Sequence, residues 1–574
     1  MAALKREYGG IQPYIPAGIF RIRLPFLHFK ISPPEVVTGL MNACTSYGAL
    51  AVLTGTLGLD STCAWGLVIF ETCMYTCNWL LGEPSICGWI TPAMALVIVY
   101  LEGYAAPGFS DLVTQYGSEA SVFAALYAGG LDPNAVAAAE QTRQLRMQAM
   151  ACTELELGIL FVVLGFSGLA KNLNTLVPPA VKAGIVLGAG IGAVNARLKV
   201  GGAMDTATWG CMAGLIVVFF LMFSLRIRSK MDNSRGLQIL GNYSFLWAVL
   251  AMFIVGGVAG EFDFSHILDQ GIFKAPDWGY MVQYTSPLCI GWGSADMWLN
   301  GIPMALISWV IAYGDFITVQ QLGLQAVRED EYIEFDPNRT NVICGIRNII
   351  LALVAGYPAQ AGPLSAPYCV AIYQRYKQSG RQGMDSIYDG SGTNLIFTVI
   401  GLFVYPLYAA AAAAAGPMLV VVLCIQGYVC TQICFDLAYD KCDEGVAGMM
   451  AGFILARGGG VGLIAGIALY LLLANNEKVK SDYAGNKERQ RIQDIEEMAL
   501  PGSEEQTFEA KYTKPISAST YAKAAMKKAK EQGNAWLNGA KNDAEHLDGV
   551  KKETPGNSEQ DEFMDAIKSM GGKK

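Results

Sequence analysis

The sequence predicts an all-α polytopic membrane protein of about 14 transmembrane segments in two inverted repeats of seven, with the third and tenth segments built as half-helices behind short extended pieces. Three observations carry this expectation. Of the 574 residues, 53% are hydrophobic and only 16% charged, with mean hydropathy +0.33, too apolar for a soluble chain of that size. Runs such as GCMAGLIVVFFLMFSL, SFLWAVLAMFIVGGVAG, NIILALVAG and GLIAGIALYLLL sit in segments near the roughly 20 residues a helix needs to cross a bilayer. Finally, GEPSICGWIT (Gly82 to Thr91) and GYPAQAGPLS (Gly356 to Ser365) fit one template, Gly-x-Pro-x-x-x-Gly-x-x-[Ser/Thr], and each interrupts the third segment of its half.

Taken in chain order, residues 1–32 carry Lys5, Arg6, Arg21, Arg23 and Lys30 among prolines and aromatics without a long apolar run. They read as a cytoplasmic leader lying at the interface, not a cleaved signal. Residues 33–475 form the transmembrane domain. Its basic connections, RIRSKMDNSR (226–235) and QRYKQSGRQG (374–383), and the Lys-rich stretch after 475 place both termini in the cytoplasm of a cell whose plasma or inner membrane the chain crosses. The acidic connection 260–278 then lies outside, and TRQLRMQ (142–148) falls outside too, against the rule. Residues 476–574 are a polar tail, largely disordered or helical, with an amphipathic stretch at 520–541.

The fourteen cysteines are scattered through apolar segments, the only histidines are His28, His266 and His546, and neither CxxC nor HExxH occurs. No metal site, cofactor or nucleic-acid partner is expected, and sodium enters only as a possible coupling ion. Nor is there a nucleophile, base and metal constellation for an enzyme.

In a bilayer, backbone freed by Gly and Pro is tolerated only where protein buries it or a polar cavity adjoins it. Two such breaks in one register point to a binding site at the repeat interface. Extended pieces from Pro84 to Cys87 and from Pro358 to Ala361 would cross as antiparallel neighbours and lead into helices whose first turns hold Thr91 and Ser365. Gly88, Trp89, Gly362 and Leu364 complete the expected substrate-binding set. Two helix N-termini, with unpaired N–H groups, would favour an anion or an electron-rich edge.

LGLDSTCAWGLVIFETCMYTCNWLLGEPSICGWITPAMALVIV, LVPPAVKAGIVLGAGIGA and GIRNIILALVAGYPAQAGPLSAP resemble the second-third helix pair, the fifth helix and the ninth-tenth helix pair of the uracil/xanthine permeases. The sulfate permease family shares that architecture of seven plus seven inverted helices. The resemblance implies a core and a gate domain, substrate between the two half-helices, an elevator-like movement, and a homodimer through the gate. It also matches Asp315, in ISWVIAYGDFITVQQLG, to the acidic residue of the eighth segment that binds substrate or joins cation coupling. Independently, an Asp in an apolar helix is costly unless it faces a cavity or a partner, so Asp315 reads as functional, with Thr318 one turn on as a helper for a cation. The resemblance departs at Leu364, where nucleobase permeases typically carry a second acid, and at Ser365, where sulfate permeases often have a base.

The expected function is therefore secondary active transport of a small anion or polar metabolite, coupled to H+ or Na+. A nucleobase permease is the alternative, and a passive anion channel or a non-transporting scaffold the further ones. Glu71, Glu154 and Glu156 are weaker candidates as relay groups or as partners of Lys182. Asn348 reads as glue between helices, Arg347 as a side chain snorkelling to the interface, and Asn42 as a residue facing the pocket.

Overall fold

The computed structural model describes residues 6, 10–83, 85–198, 203–231, 235–262, 271–326, 333–363, 365–376, 380–457 and 459–499. Leu364, Pro84 and the stretch 520–541 lie outside them. Among the described residues fourteen segments follow one another in the expected order. A hairpin of β1 (Ile15–Ala17) and β2 (Phe20–Ile22) precedes α1 (Pro33–Ser46) and the broken second segment, α2 (Ser61–Cys73) with α3 (Tyr75–Leu81). Next come β3 (Gly88–Trp89), α4 (Thr91–Glu102), α5 (Pro133–Phe166), α6 (Pro179–Leu198), α7 (Thr208–Phe223) and α8 (Ser244–Val258). The second half runs through α9 (Ala295–Ala326), α10 (Pro337–Val354), β4 (Ala361–Gly362), α11 (Ala366–Tyr376), α12 (Gly380–Leu402), α13 (Tyr405–Leu437), α14 (Lys441–Arg457) and α15 (Gly459–Leu473).

By length and composition, Pro133–Phe166 and Ala295–Gly314 suit a full membrane crossing, and Thr208–Phe223, Leu246–Val258 and Val461–Leu473 are shorter apolar helices. The half-helices and the polar α10 explain why so few segments show an unbroken apolar run.

Packing repeats between the halves. The first segment lies on the eleventh (α1 on α12) as the eighth lies on the fourth (α9 on α5); the sixth pairs with the seventh (α7, α8) as the thirteenth does with the fourteenth (α14, α15). The fifth and twelfth, α6 and α13, cross each other, and a Cβ on Gly427 would meet the Gly190 carbonyl at 3.2 Å. Small residues at such crossings let helix backbones touch where water cannot drive association. Segments four and nine both start at Asp-Pro-Asn: the Asp132 and Asp336 carboxylates each accept two first-turn amides, and the prolines occupy a position needing no donor. These helices pack so closely that a Cβ on Gly345 would stand 2.7 Å from the Gly158 carbonyl.

Three sequence expectations are refined. The leader does not merely lie at an interface: Arg23 is completely buried, bonding Glu334 at 2.8 Å and the Gly82 carbonyl. The misplaced basic stretch 142–148 belongs to the interior of α5, where Arg146 holds the Glu119 carboxylate through two bonds of 2.7 Å. It is a structural cation, so loop-charge rules do not apply to it. The first part of the tail is a polar helix, α16 (Asn476–Ala499), docked through Lys478 to Asp440 at 2.8 Å and Asp443 at 2.9 Å.

Candidate functional site

The two template breaks meet. β3 and β4 pair antiparallel, Gly88 opposite Gly362 and Trp89 opposite Ala361. Each piece then donates from the residue leading into its half-helix to the other piece: the Ile90 amide to the Ala359 carbonyl at 3.0 Å, and the Ser365 amide to the Ile86 carbonyl at 2.7 Å. Glycine is required here by proximity. A Cβ on Gly362 would stand 3.0 Å from the Trp89 carbonyl carbon, and one on Gly88 would stand 3.0 Å from the Ser365 Cβ. Both half-helices begin at this crossing, α4 at Thr91-Pro92 and α11 at Ala366-Pro367. The dipole ends are therefore directed to one place, but with fewer free donors than expected: Ile90 and Ser365 are spent on the crossing, and proline has no N–H.

Side chains of α10 hold the second piece. Asn348 donates to the Ala361 carbonyl at 2.9 Å and accepts from the Ala361 amide at 3.0 Å, while Arg347 donates to the Gly362 carbonyl at 2.7 Å. Asn348 is thus glue, though for a strand more than for a neighbouring helix. Arg347 corrects the sequence reading: it is fully buried, not at an interface. It sits mid-helix because α10 starts at Pro337, ten residues earlier than Arg347 itself. Glu154, also fully buried, reaches from α5 to accept the Tyr357 amide at 2.7 Å.

The first piece is held differently. Trp89 donates its indole N–H to Glu71 at 2.7 Å, and its ring lies 5.8 Å from that of Tyr357. Glu71 in turn stands 3.9 Å from the Arg347 guanidinium. Of the four paired residues, Trp89 alone is partly exposed.

The helix bearing Asp315 reaches both half-helices. α9 packs on α4 and α11, and its Ala305 and Ala312 join Ile90 and Ala93 in one buried apolar cluster. Asp315 lies one turn beyond Ala312 and Thr318 one turn further; the side chains of Asp315, Thr318 and Thr91 are outside the described residues. Asn42 donates to Asn394 of α12 at 3.3 Å.

Sequence reasoning missed Gln360. It adopts φ 49, rare for a residue with a side chain, is fully buried, and its amide oxygen and nitrogen find no hydrogen-bond partner among the described residues. Such outliers gather at functional sites. The only hint in the sequence is its place between Pro358 and Gly362.

Residues 117–361 match the family model described as Xan_ur_permease, Permease family. That match spans 245 of the 574 residues, so the chain is similar to the permease family over that stretch. No curated protein matches it. Among solved structures, it is similar to the transmembrane domain of a cyanobacterium bicarbonate transporter, BicA, at 16% identity and TM-score 0.39, over 76% of this chain and 99% of that one. It is also similar to the murine Solute Carrier 26 family member A9 anion transporter in the inward-facing state, at 13% identity and TM-score 0.38, over 77% of this chain and 68% of that one.

Proposed function

We propose that this protein is a permease, a secondary active transporter of a small anion or polar metabolite, coupled to H+ or Na+. The helices carrying the crossing would slide, elevator fashion, past the group formed by α6, α7, α8, α13, α14 and α15. Both termini are cytoplasmic in this reading, and two copies would associate through that second group. The observation supporting it is the crossing itself: β3 and β4 direct the N-termini of α4 and α11 to one place, where partial positive charge stabilises an anion without a basic side chain.

Uptake into proteoliposomes of labelled sulfate, bicarbonate, small carboxylates, uracil and xanthine tests this directly. Saturable uptake of at least one anion is expected. Uptake of uracil or xanthine alone would replace this reading by the nucleobase permease, which Gln360 favours: one buried amide offers both a donor and an acceptor to a base edge. Flux that ignores imposed ion gradients would make the protein a passive channel.

Asp315 is the proposed coupling residue, with Thr318 beside it on α9. A carboxylate near the two dipole ends opposes an arriving anion until a proton or sodium ion neutralises it, so ion and substrate favour each other's binding. Asp315→Asn removes the charge and keeps the shape. It should leave anion binding intact or tighter and abolish its dependence on pH or sodium; a variant that still concentrates substrate under either gradient would remove Asp315 from this role.

A further inference from the structure

We propose that Glu71 and Arg347, two charges inside the protein that the transport reading above does not use, are positioning residues that together set the pose of Trp89 and the closure of the crossing. The inference rests on the crossing being the substrate site. Both side chains are fully buried, and they form the ion pair beneath β3 and β4. Each grips a different piece. Arg347 donates to the Gly362 carbonyl at 2.7 Å, and Gly362 is the strand partner of Gly88; Glu71 accepts the indole N–H of Trp89 at 2.7 Å. The attraction between them therefore pulls one strand toward the other.

Little else holds this pair: beside Trp89, the Glu71 carboxylate accepts a long bond of 3.5 Å from the Thr72 hydroxyl. The second Glu71 oxygen and two Arg347 nitrogens, Nε and Nη2, have no hydrogen-bond partner among the described residues. The face of the guanidinium lies over the Tyr75 ring at 5.7 Å. Each charge thus depends on the other for compensation in a low-dielectric interior, where a lone charge costs far more than a matched pair. Trp89 is what the arrangement presents: it alone of the paired residues is partly exposed, and it stands directly before the start of α4. Freed from Glu71, the indole can turn about its side-chain bonds. The surface beside both helix starts then changes, although neither charge touches the substrate.

Three variants separate positioning from direct binding: Glu71→Gln, Arg347→Gln and the double variant, in which neutral amides replace both charges, of equal length at position 71 and two bonds shorter at position 347. Hydrogen exchange by mass spectrometry over 85–91 and 357–363 reads the crossing without any substrate. Uptake of labelled sulfate and uracil gives KM and Vmax for whichever probe saturates. Each single variant should lose exchange protection in both segments and raise KM about ten-fold, with Vmax changed less than about two-fold, because it strands one buried charge. The double variant should regain part of the protection and of the KM, because it strands no charge but lacks the bond from position 347 to the Gly362 carbonyl. If the double variant is no better protected than the worse single one, the pair does not hold the crossing. If protection returns while KM stays high, Arg347 or Glu71 binds substrate itself and the positioning role is wrong. Should neither probe saturate in the unaltered protein, the choice of substrate site fails, while the exchange measurement still decides the clamp.

Discussion

The two breaks share a template and are supported in opposite ways. Eight and nine residues before Gly356 stand Asn348 and Arg347; at the same distances before Gly82 stand Met74 and Cys73. The polar pair under the second break thus has no polar counterpart under the first. β4 is held from below through its backbone, by Asn348 on Ala361 and Arg347 on Gly362. β3 is held through a side chain, Trp89 on Glu71, and at its entry, where Glu83 accepts from the Asp336 amide at 2.8 Å and from Arg339 at 3.1 Å. Those last two partners sit at the start of α10. The same helix therefore anchors the first break at its N-terminus and the second along its middle. An inverted repeat supplies two equal half-helices; one helix fixes them both, and the symmetry of the template is not a symmetry of stability.

The largest expected effect tests that asymmetry. Asn348→Ala removes both bonds to Ala361, leaving its buried amide without that acceptor and its carbonyl with the weaker Cys344 thiol donor at 3.0 Å, a loss of about 2–4 kcal/mol. Met74→Ala, at the corresponding place before the first break, should cost under about 1 kcal/mol because the residue is only partly buried. Thermal unfolding of the purified protein in detergent compares them. Equal losses would mean that the first break is supported as strongly as the second.

The glycines come next. Gly362→Ala drives a methyl against the Trp89 main chain, at 3.0 Å from its carbon and 3.1 Å from its oxygen, and backbone cannot turn aside. Gly88→Ala meets a side chain, the Cβ and Oγ of Ser365 at 3.0 and 3.1 Å. The first substitution should cost about 1–3 kcal/mol and the second about half as much. Ser365→Gly added to Gly88→Ala should recover most of the loss, and no single side-chain truncation should rescue Gly362→Ala. Rescue absent in the first case would show that the paired strands, not the contact with Ser365, set the requirement at Gly88.

How much of this could be read from the sequence follows from what each feature needs. The breaks were legible because freed backbone in a membrane calls for Gly and Pro at fixed places, and both templates stand in the open as GEPSICG and GYPAQAG. Arg347 was misread because α10 carries Arg339, Thr340, Asn341, Arg347 and Asn348, all buried. These lower the local hydropathy until only NIILALVAG looks like a span, and Arg347 seems to mark its edge. Only partners distant in the chain, Glu71 and Gly362 for Arg347 and Glu334 for Arg23, show that such charges lie inside. Periodicity and composition carry no information about those pairings. Gln360 was invisible for a related reason: a positive φ at a residue other than Gly leaves no mark in composition.

A smaller expected effect separates the two anchors on α10. Around Arg339 stand three carboxylates, Glu83 at 3.1 Å, Asp336 at 3.6 Å and Glu334, so removing one still leaves the guanidinium compensated. Glu83→Gln keeps one acceptor oxygen for the Asp336 amide and gives up a charge-assisted contact to Arg339 or Thr340. The cost should be about 1 kcal/mol, below that of Asn348→Ala, where the acceptor of the Ala361 amide is removed outright. Its location matters more than its size. Because Glu83 touches only the entry to the first break, amide exchange should quicken over 82–83 and 85–87 and stay unchanged over 357–363, where Asn348 and Arg347 still hold β4. If protection falls equally in both segments, the first break cannot loosen without the second, and the anchors on α10 act as one cooperative unit instead of two.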